Sequence, residues 1–98
     1  MHLSFSSDDP KKILDDINGH LSGRELGKMV NLKLEGSDLV VLIQKMGTSE
    51  LRFTGTVADG KVEYDLKKEK IAFAHKPFKD EVIGKIKKIV EACGGTWT

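Results

Sequence analysis

The chain has 98 residues, 39% of them hydrophobic and 32% charged, with a net charge of +1. That is enough for one domain with a single core and too little for two, and the composition is that of a folded chain rather than a disordered one. Near-neutral charge gives little general attraction to nucleic acid or anionic lipid. The longest unbroken apolar run, Leu39-Val40-Val41-Leu42-Ile43, suits a buried strand and falls far short of the ~20 residues of a membrane span. The first residues have neither a basic start nor an apolar segment, so no signal peptide is expected. A single cysteine, Cys93, excludes an internal disulfide and fits a reducing, cytoplasmic setting.

In chain order, His2-Leu3-Ser4-Phe5-Ser6 alternates and predicts a possible extra N-terminal strand. Asp9-Pro10 then starts a helix, with Asp as the N-cap and Pro at the first helical position, where a missing N–H is harmless. Ile13, Leu14, Ile17 and Leu21 lie on one stripe of that helix. Ser22-Gly23-Arg24-Glu25 has the spacing of a capping box, so a second helical turn is expected to carry Leu26 and Met29 inward.

From Val30 to Phe73 apolar residues alternate with polar ones between short turns. A two-residue loop at Asp59-Gly60 pairs Val57 with Val62, Gly55 with Tyr64 and Phe53 with Leu66, and lets the Tyr64 ring cover the strand glycine. A loop at Gly36-Ser37 pairs Leu34 with Leu39, Leu32 with Val41 and Val30 with Ile43. A loop centred on Gly47 pairs Ile43 with Leu51 and Val41 with Phe53. A last turn at Lys68-Glu69 pairs Leu66 with Ile71 and Tyr64 with Phe73, although it lacks the Gly or Asn that tight turns favour. All four registers turn their apolar residues to one face, and a one-residue slip would reverse any of them. The expected fold is a single α+β domain over residues 1–98. A five-stranded antiparallel meander carries the N-terminal helix and a long C-terminal helix on one face. That last helix is read from Pro77 to Cys93, about 25 Å at ~1.5 Å per residue. Phe78, Val82, Ile83, Ile86, Ile89, Val90 and Cys93 form its stripe, and Gly94 its left-handed stop.

Little in this pattern carries chemistry. His2, His20 and His75 are far apart, and no zinc, EF-hand or Gly-x-Ser-x-Gly spacing occurs, so no metal or cofactor is expected. Cys93 lies on an apolar stripe, where a cysteine packs as a small hydrophobe. Asp8/Asp9 and Asp15/Asp16 are accounted for by a cap and a solvated helix face. No catalytic residue is assigned, and the protein is read as not an enzyme.

Three binding readings remain. Val40 and Leu42, with Ala72, interrupt an otherwise polar outer sheet face made of Asn31, Lys33, Arg52, Thr54, Thr56, Glu63 and Asp65. They mark a candidate interface for self-association or for a protein partner. Second, a long helix on a curved sheet is the plan of several carriers of apolar ligands, although the bulky facing residues favour a filled core. Third, helix–sheet–helix order is also that of the double-stranded-RNA-binding domain, which holds phosphates with lysines at the start of its last helix. Lys76, Lys79, Lys85, Lys87 and Lys88 are the candidate phosphate contacts here. The spacings Glu81 to Lys85, Lys87 to Glu91 and Lys88 to Glu91 point instead to an ion-paired face, which weighs against nucleic acid.

From Glu50 to Ala92 the chain resembles the small bacterial family of polyhydroxyalkanoic acid system proteins. The likeness rests on Phe53-Thr54-Gly55-Thr56, Asp59-Gly60-Lys61-Val62 and Lys76-Pro77-Phe78-Lys79-Asp80, followed by Ile83, Ile86 and Ile89. The order strand, helix, meander, helix agrees with it, while residues 22–28 have no counterpart. The resemblance implies a small non-catalytic accessory protein associated with storage granules, and it transfers no site residue. The expected function is an interaction protein that self-associates through its sheet, with an apolar-ligand carrier and a weak RNA or DNA binder as alternatives.

Overall fold

The first turn of regular structure is set where the chain begins to wind. In the computed structural model, which describes residues 1–98, His2–Phe5 form strand β1 and Pro10–Leu21 form helix α1. Asp9 stays extended and accepts the N–H groups of Lys11 (3.1 Å) and Lys12 (3.3 Å), and Pro10 follows it as the first helical residue. The expected capping box does not form. Ser22 is consumed as the C-cap of α1, donating its N–H to Asn18, and Gly23 turns the chain at φ +79°. Glu25 reaches forward to Lys28 instead of capping, and Leu26–Lys28 make a single 3₁₀ turn with Leu26 buried and Met29 half-buried.

The meander follows as β2 (Val30–Glu35), β3 (Asp38–Gln44), β4 (Thr48–Ala58) and β5 (Lys61–Lys70). Asp59 (φ +53°) and Gly60 (φ +74°) are both left-handed, as the two-residue hairpin requires, and the β4–β5 and β2–β3 registers are those expected. The β3–β4 pair differs by two residues: Val41 faces Leu51 and Leu39 faces Phe53. Its connection is only Lys45-Met46-Gly47, with Met46 at φ +55° and Gly47 at φ +126°. A shift of two keeps the same face inward, so the inner residues remain inside.

The fifth strand of the meander is a correction. Residues 68 and 69 do not turn; β5 runs on to Lys70, past a bulge opposite Arg52/Phe53, and Ile71 to Phe73 leave the sheet. Phe73–Phe78 wind as a 3₁₀ segment with Pro77 inside it, and helix α2 begins only at Lys79 and ends at Ala92. The outer edge of β5 is taken by β1, with Leu3 opposite Tyr64 and Phe5 opposite Val62. A last strand unforeseen in the sequence, β6 (Gly95–Trp97), pairs with β1, giving the antiparallel order β2-β3-β4-β5-β1-β6. Gly94 (φ +83°) is the expected stop of α2, and it reverses the chain into β6.

The two helices share the inner face, α1 against β2 and α2 against β6, and touch each other between. Nineteen buried side chains form one core, among them Ile13, Ile17, Ile86, Ile89 and Val90 from the helices. Trp97 closes its end, edge-on to Phe53 at 6.0 Å. The α+β architecture with both helices on one face of an antiparallel sheet is therefore as expected, and no helix is long and apolar enough to cross a membrane.

Two tests follow from the strand contacts. A β-carbon on Gly55 would come within 2.6 Å of both the Tyr64 ring and the Ser37 carbonyl. Gly55→Ala should cost about 1–3 kcal/mol by overpacking, a drop of several degrees in Tm in a thermal melt. At β1, His2 Nδ1–H donates to Asp65 (2.6 Å) and Nε2 lies 3.5 Å from Glu63. The Asp65 hydrogen bond, with the two carboxylate charges behind it, raises the His2 pKa above its ordinary 6.5. A raised folded pKa means the contribution is complete below pH 6.5 and fades as pH rises through the folded value. His2→Gln should therefore lower Tm at about pH 5.5 and have little effect at about pH 8.5; equal losses at both would show that the charge is not involved.

Candidate functional site

The departure of the chain from the sheet after Lys70 opens a cleft at one end of the molecule. Its volume is about 540 Å³, within the roughly 300–1,000 Å³ of ligand sites. One wall is the first 3₁₀ turn, through Leu26 and Met29, with Ile43 from the end of β3. The tip of the β3–β4 hairpin contributes Lys45 and Met46 to the lining. The other wall is Ile71, Ala74, His75 and Phe78 from the segment after β5, joined by Lys79, Val82 and Lys85 from the first turns of α2. Most of these side chains are apolar, and Met46 (86% exposed) and Phe78 (57% exposed) hold apolar surface in water at the rim. Phe73, 87% exposed, stands on the same 3₁₀ segment with the Lys76 ammonium 5.7 Å from its ring centroid.

Behind the cleft lies a buried polar clasp. Ser49 Oγ accepts the Ala72 N–H at 2.8 Å and lies 2.5 Å from His75 Nδ1, while His75 Nε2 lies 2.5 Å from the Lys45 carbonyl. The carbonyl only accepts, so the network assigns the proton to Nε2 and leaves Nδ1 to receive the Ser49 hydroxyl. Serine donating to histidine is the arrangement of a nucleophile and its base, but Ser49 has 0% exposure and its oxygen is filled by Ala72. What the arrangement does is tie the 3₁₀ segment to the hairpin. Ser49→Ala would orphan the half-buried Ala72 N–H and the buried His75 Nδ1, at about 1–3 kcal/mol. A thermal melt of that variant should show a clear loss of stability.

The sequence-predicted interface lies elsewhere and is altered. Val40 is only 1% exposed, flanked across the strands by Lys33 and Arg52. Arg52 bonds Glu35 (2.7 Å), Asp38 (3.1 Å) and Glu50 (3.2 Å), and Lys33, Lys67 and Lys68 extend the network over the outer face. Lys33 and Arg52 together hold the Glu35 carboxyl down at about 2, and the same guanidinium lowers Asp38. Long charged side chains thus cover the apolar stem of Val40, which alternation alone had placed in the open. Leu42 is half-buried between Asn31 and Glu50. Ala72 is not a sheet residue at all and belongs to the clasp.

The candidate phosphate lysines do not act together either. Lys76 lies over Phe73, Lys79 pairs with Glu69 at 2.9 Å and Lys85 with Glu81 at 3.3 Å. Lys87 and Lys88 are exposed, and the expected pairs with Glu91 do not form. The histidines stay apart, and no three metal-ligating side chains converge. Cys93 is half-buried with Sγ 3.3 Å from His20 Nδ1; burial, then the Asp16 charge, pushes its thiol pKa up, away from a thiolate.

Periodicity in the sequence does not reveal the cleft, because it gives the lining residues other tasks: Ile71 in a strand, Phe78 on a helix stripe and Met46 in a hairpin loop. The one available signal was the missing turn residue at Lys68-Glu69. No family model, curated protein or solved structure matches this chain.

Proposed function

We propose that this protein is a non-catalytic binding module, and that its working surface is the open cleft, where it holds an apolar small ligand. The observation that carries this reading is the largely apolar cleft of about 540 Å³ left unfilled beside the core; a second hollow, between Phe5 and Cys93, is less than half that size and less apolar in its lining. Interiors pack to crystal-like density, so an apolar hollow of this size, rimmed by an exposed Met46 and Phe78, is surface that a partner would cover. The outer sheet face, layered with charge, offers self-association no comparable apolar area. A non-catalytic accessory role is also what the resemblance over residues 50–92 implies, and the single free Cys93 suits a reducing compartment.

Nile red, a neutral dye that brightens in apolar surroundings, tests the reading. It should bind with one-to-one stoichiometry, and Ala74→Trp, which fills the hollow from a half-buried position, should abolish binding while the fold persists by circular dichroism. A wild-type protein that leaves the dye dark, or a variant that binds it unchanged, would overturn the proposal.

A further inference from the structure

Resting on that reading of the cleft, we infer that its ligand is a single-chain amphipathic carboxylate, with the chain in the hollow and the head on Lys45. Three observations select this class. The walls carry Leu26, Met29, Ile43 and Val82, all apolar, and the linear side chain of methionine reshapes itself around an aliphatic chain at little cost. The rim lysines differ in what they are free to do: Lys79 is paired with Glu69 and Lys85 with Glu81, whereas Lys45 at the mouth has no carboxylate within 4.0 Å. One uncommitted cation matches one anionic head. The rim carboxylates of Glu25 and Glu81 would disfavour a second negative charge there, so a monoanion fits better than a phosphate dianion. A cationic head would have to displace Lys28 from Glu25 or Lys85 from Glu81.

The third observation is the hairpin tip. Met46 adopts φ +55°, a left-handed conformation that a β-carbon disfavours, and its side chain adds nothing to the core. The tip is nevertheless pinned: Lys45 N–H donates to Gly47 O (3.0 Å), Gln44 N–H to Met29 O (2.7 Å), and His75 to the Lys45 carbonyl. The pinned backbone thus holds two successive lining residues, Lys45 and Met46, at the edge of the cleft, where the ammonium would take the head and the thioether the first methylenes.

The experiment is displacement of Nile red, below micelle-forming concentrations, by dodecanoate, dodecanol and dodecylamine. Dodecanoate should compete about tenfold or more better than dodecanol, and the amine worst, since one charge-assisted contact is of that size. Lys45→Met keeps the stem and should erase the preference for dodecanoate while leaving dodecanol unchanged. Met46→Gly should keep or raise Tm, because glycine suits the left-handed site, yet weaken both chains. Equal affinity for dodecanoate and dodecanol, or a preference that survives Lys45→Met, overturns the assignment of the head and leaves the apolar cleft standing. Nile red binding with no displacement by any of the three overturns the chain as well. Absence of Nile red binding refutes the cleft itself. A dimer in sedimentation that Met46→Asp dissociates would place a second copy in the cleft and overturn both.

Discussion

The pairing of β1 along the outer edge of β5 turns the chain out of the sheet after Lys70, and the clasp of Ser49 on Ala72 and His75 fixes where it goes. Ile71 and Phe73 continue the alternation of the sheet, and a turn at residues 68–69 would lay Ile71 beside Leu66 and Phe73 beside Tyr64. Tyr64 has only one free outer edge, however, and Leu3 of β1 occupies it. With that edge filled, the segment after Lys70 must satisfy its backbone elsewhere. Ser49 takes the Ala72 N–H, His75 takes the Ser49 proton, and the Lys45 carbonyl takes that of His75. No buried side-chain polar atom is left without a partner, which is the condition for such a network to stabilise rather than weaken the interior.

Much of the fold was legible because hairpins are local. Asp59-Gly60 and Gly36-Ser37 carry their turn chemistry in the loop itself, and the flanking alternation then admits one register. Asp9-Pro10 and Gly94 are likewise read from one or two residues, since caps act within a turn of where they sit. What was illegible depends on competition between distant segments. Whether residues 71–73 or residues 2–5 pair with β5 is a contest across sixty residues of chain, which periodicity within a window cannot judge. The three residues of β6 are too few for a pattern, and their pairing partner β1 is at the other end of the sequence. Ser49 and His75 are each unremarkable alone, and only the fold brings them to 2.5 Å.

Val40 shows the same limit in another form. Alternation correctly puts it on the outer face, but facing outward is not the same as being exposed. Arg52 lies directly opposite on β4 and reaches Glu35, Asp38 and Glu50 at once, so the guanidinium is held by three carboxylates. Each of these pairs is worth little in isolation at a solvated surface. As a network they fix the arginine stem over a β-branched neighbour and exclude water from it. The outer face is therefore both charged at its surface and dry at Val40, a combination invisible to a one-dimensional sum of polar and apolar positions.

The cleft and the core differ in what sets their dimensions. In the core, side chains interlock, and the distance between α2 and the sheet is the distance at which Ile86, Ile89 and Val90 fit. Around the cleft the walls are spaced by polar contacts instead: Gln44 N–H to Met29 O, His75 to Lys45 O, and Lys79 to Glu69. Hydrogen bonds and ion pairs fix separation without filling volume, so the walls can stand apart while their positions stay determined. The side chains left facing the gap include two methionines, the residues best able to reshape without moving the backbone. On the ligand-binding reading, such a site would be ordered before its occupant arrives and would adjust through rotamers alone. The ordering cost that weakens binding to mobile loops would then be small.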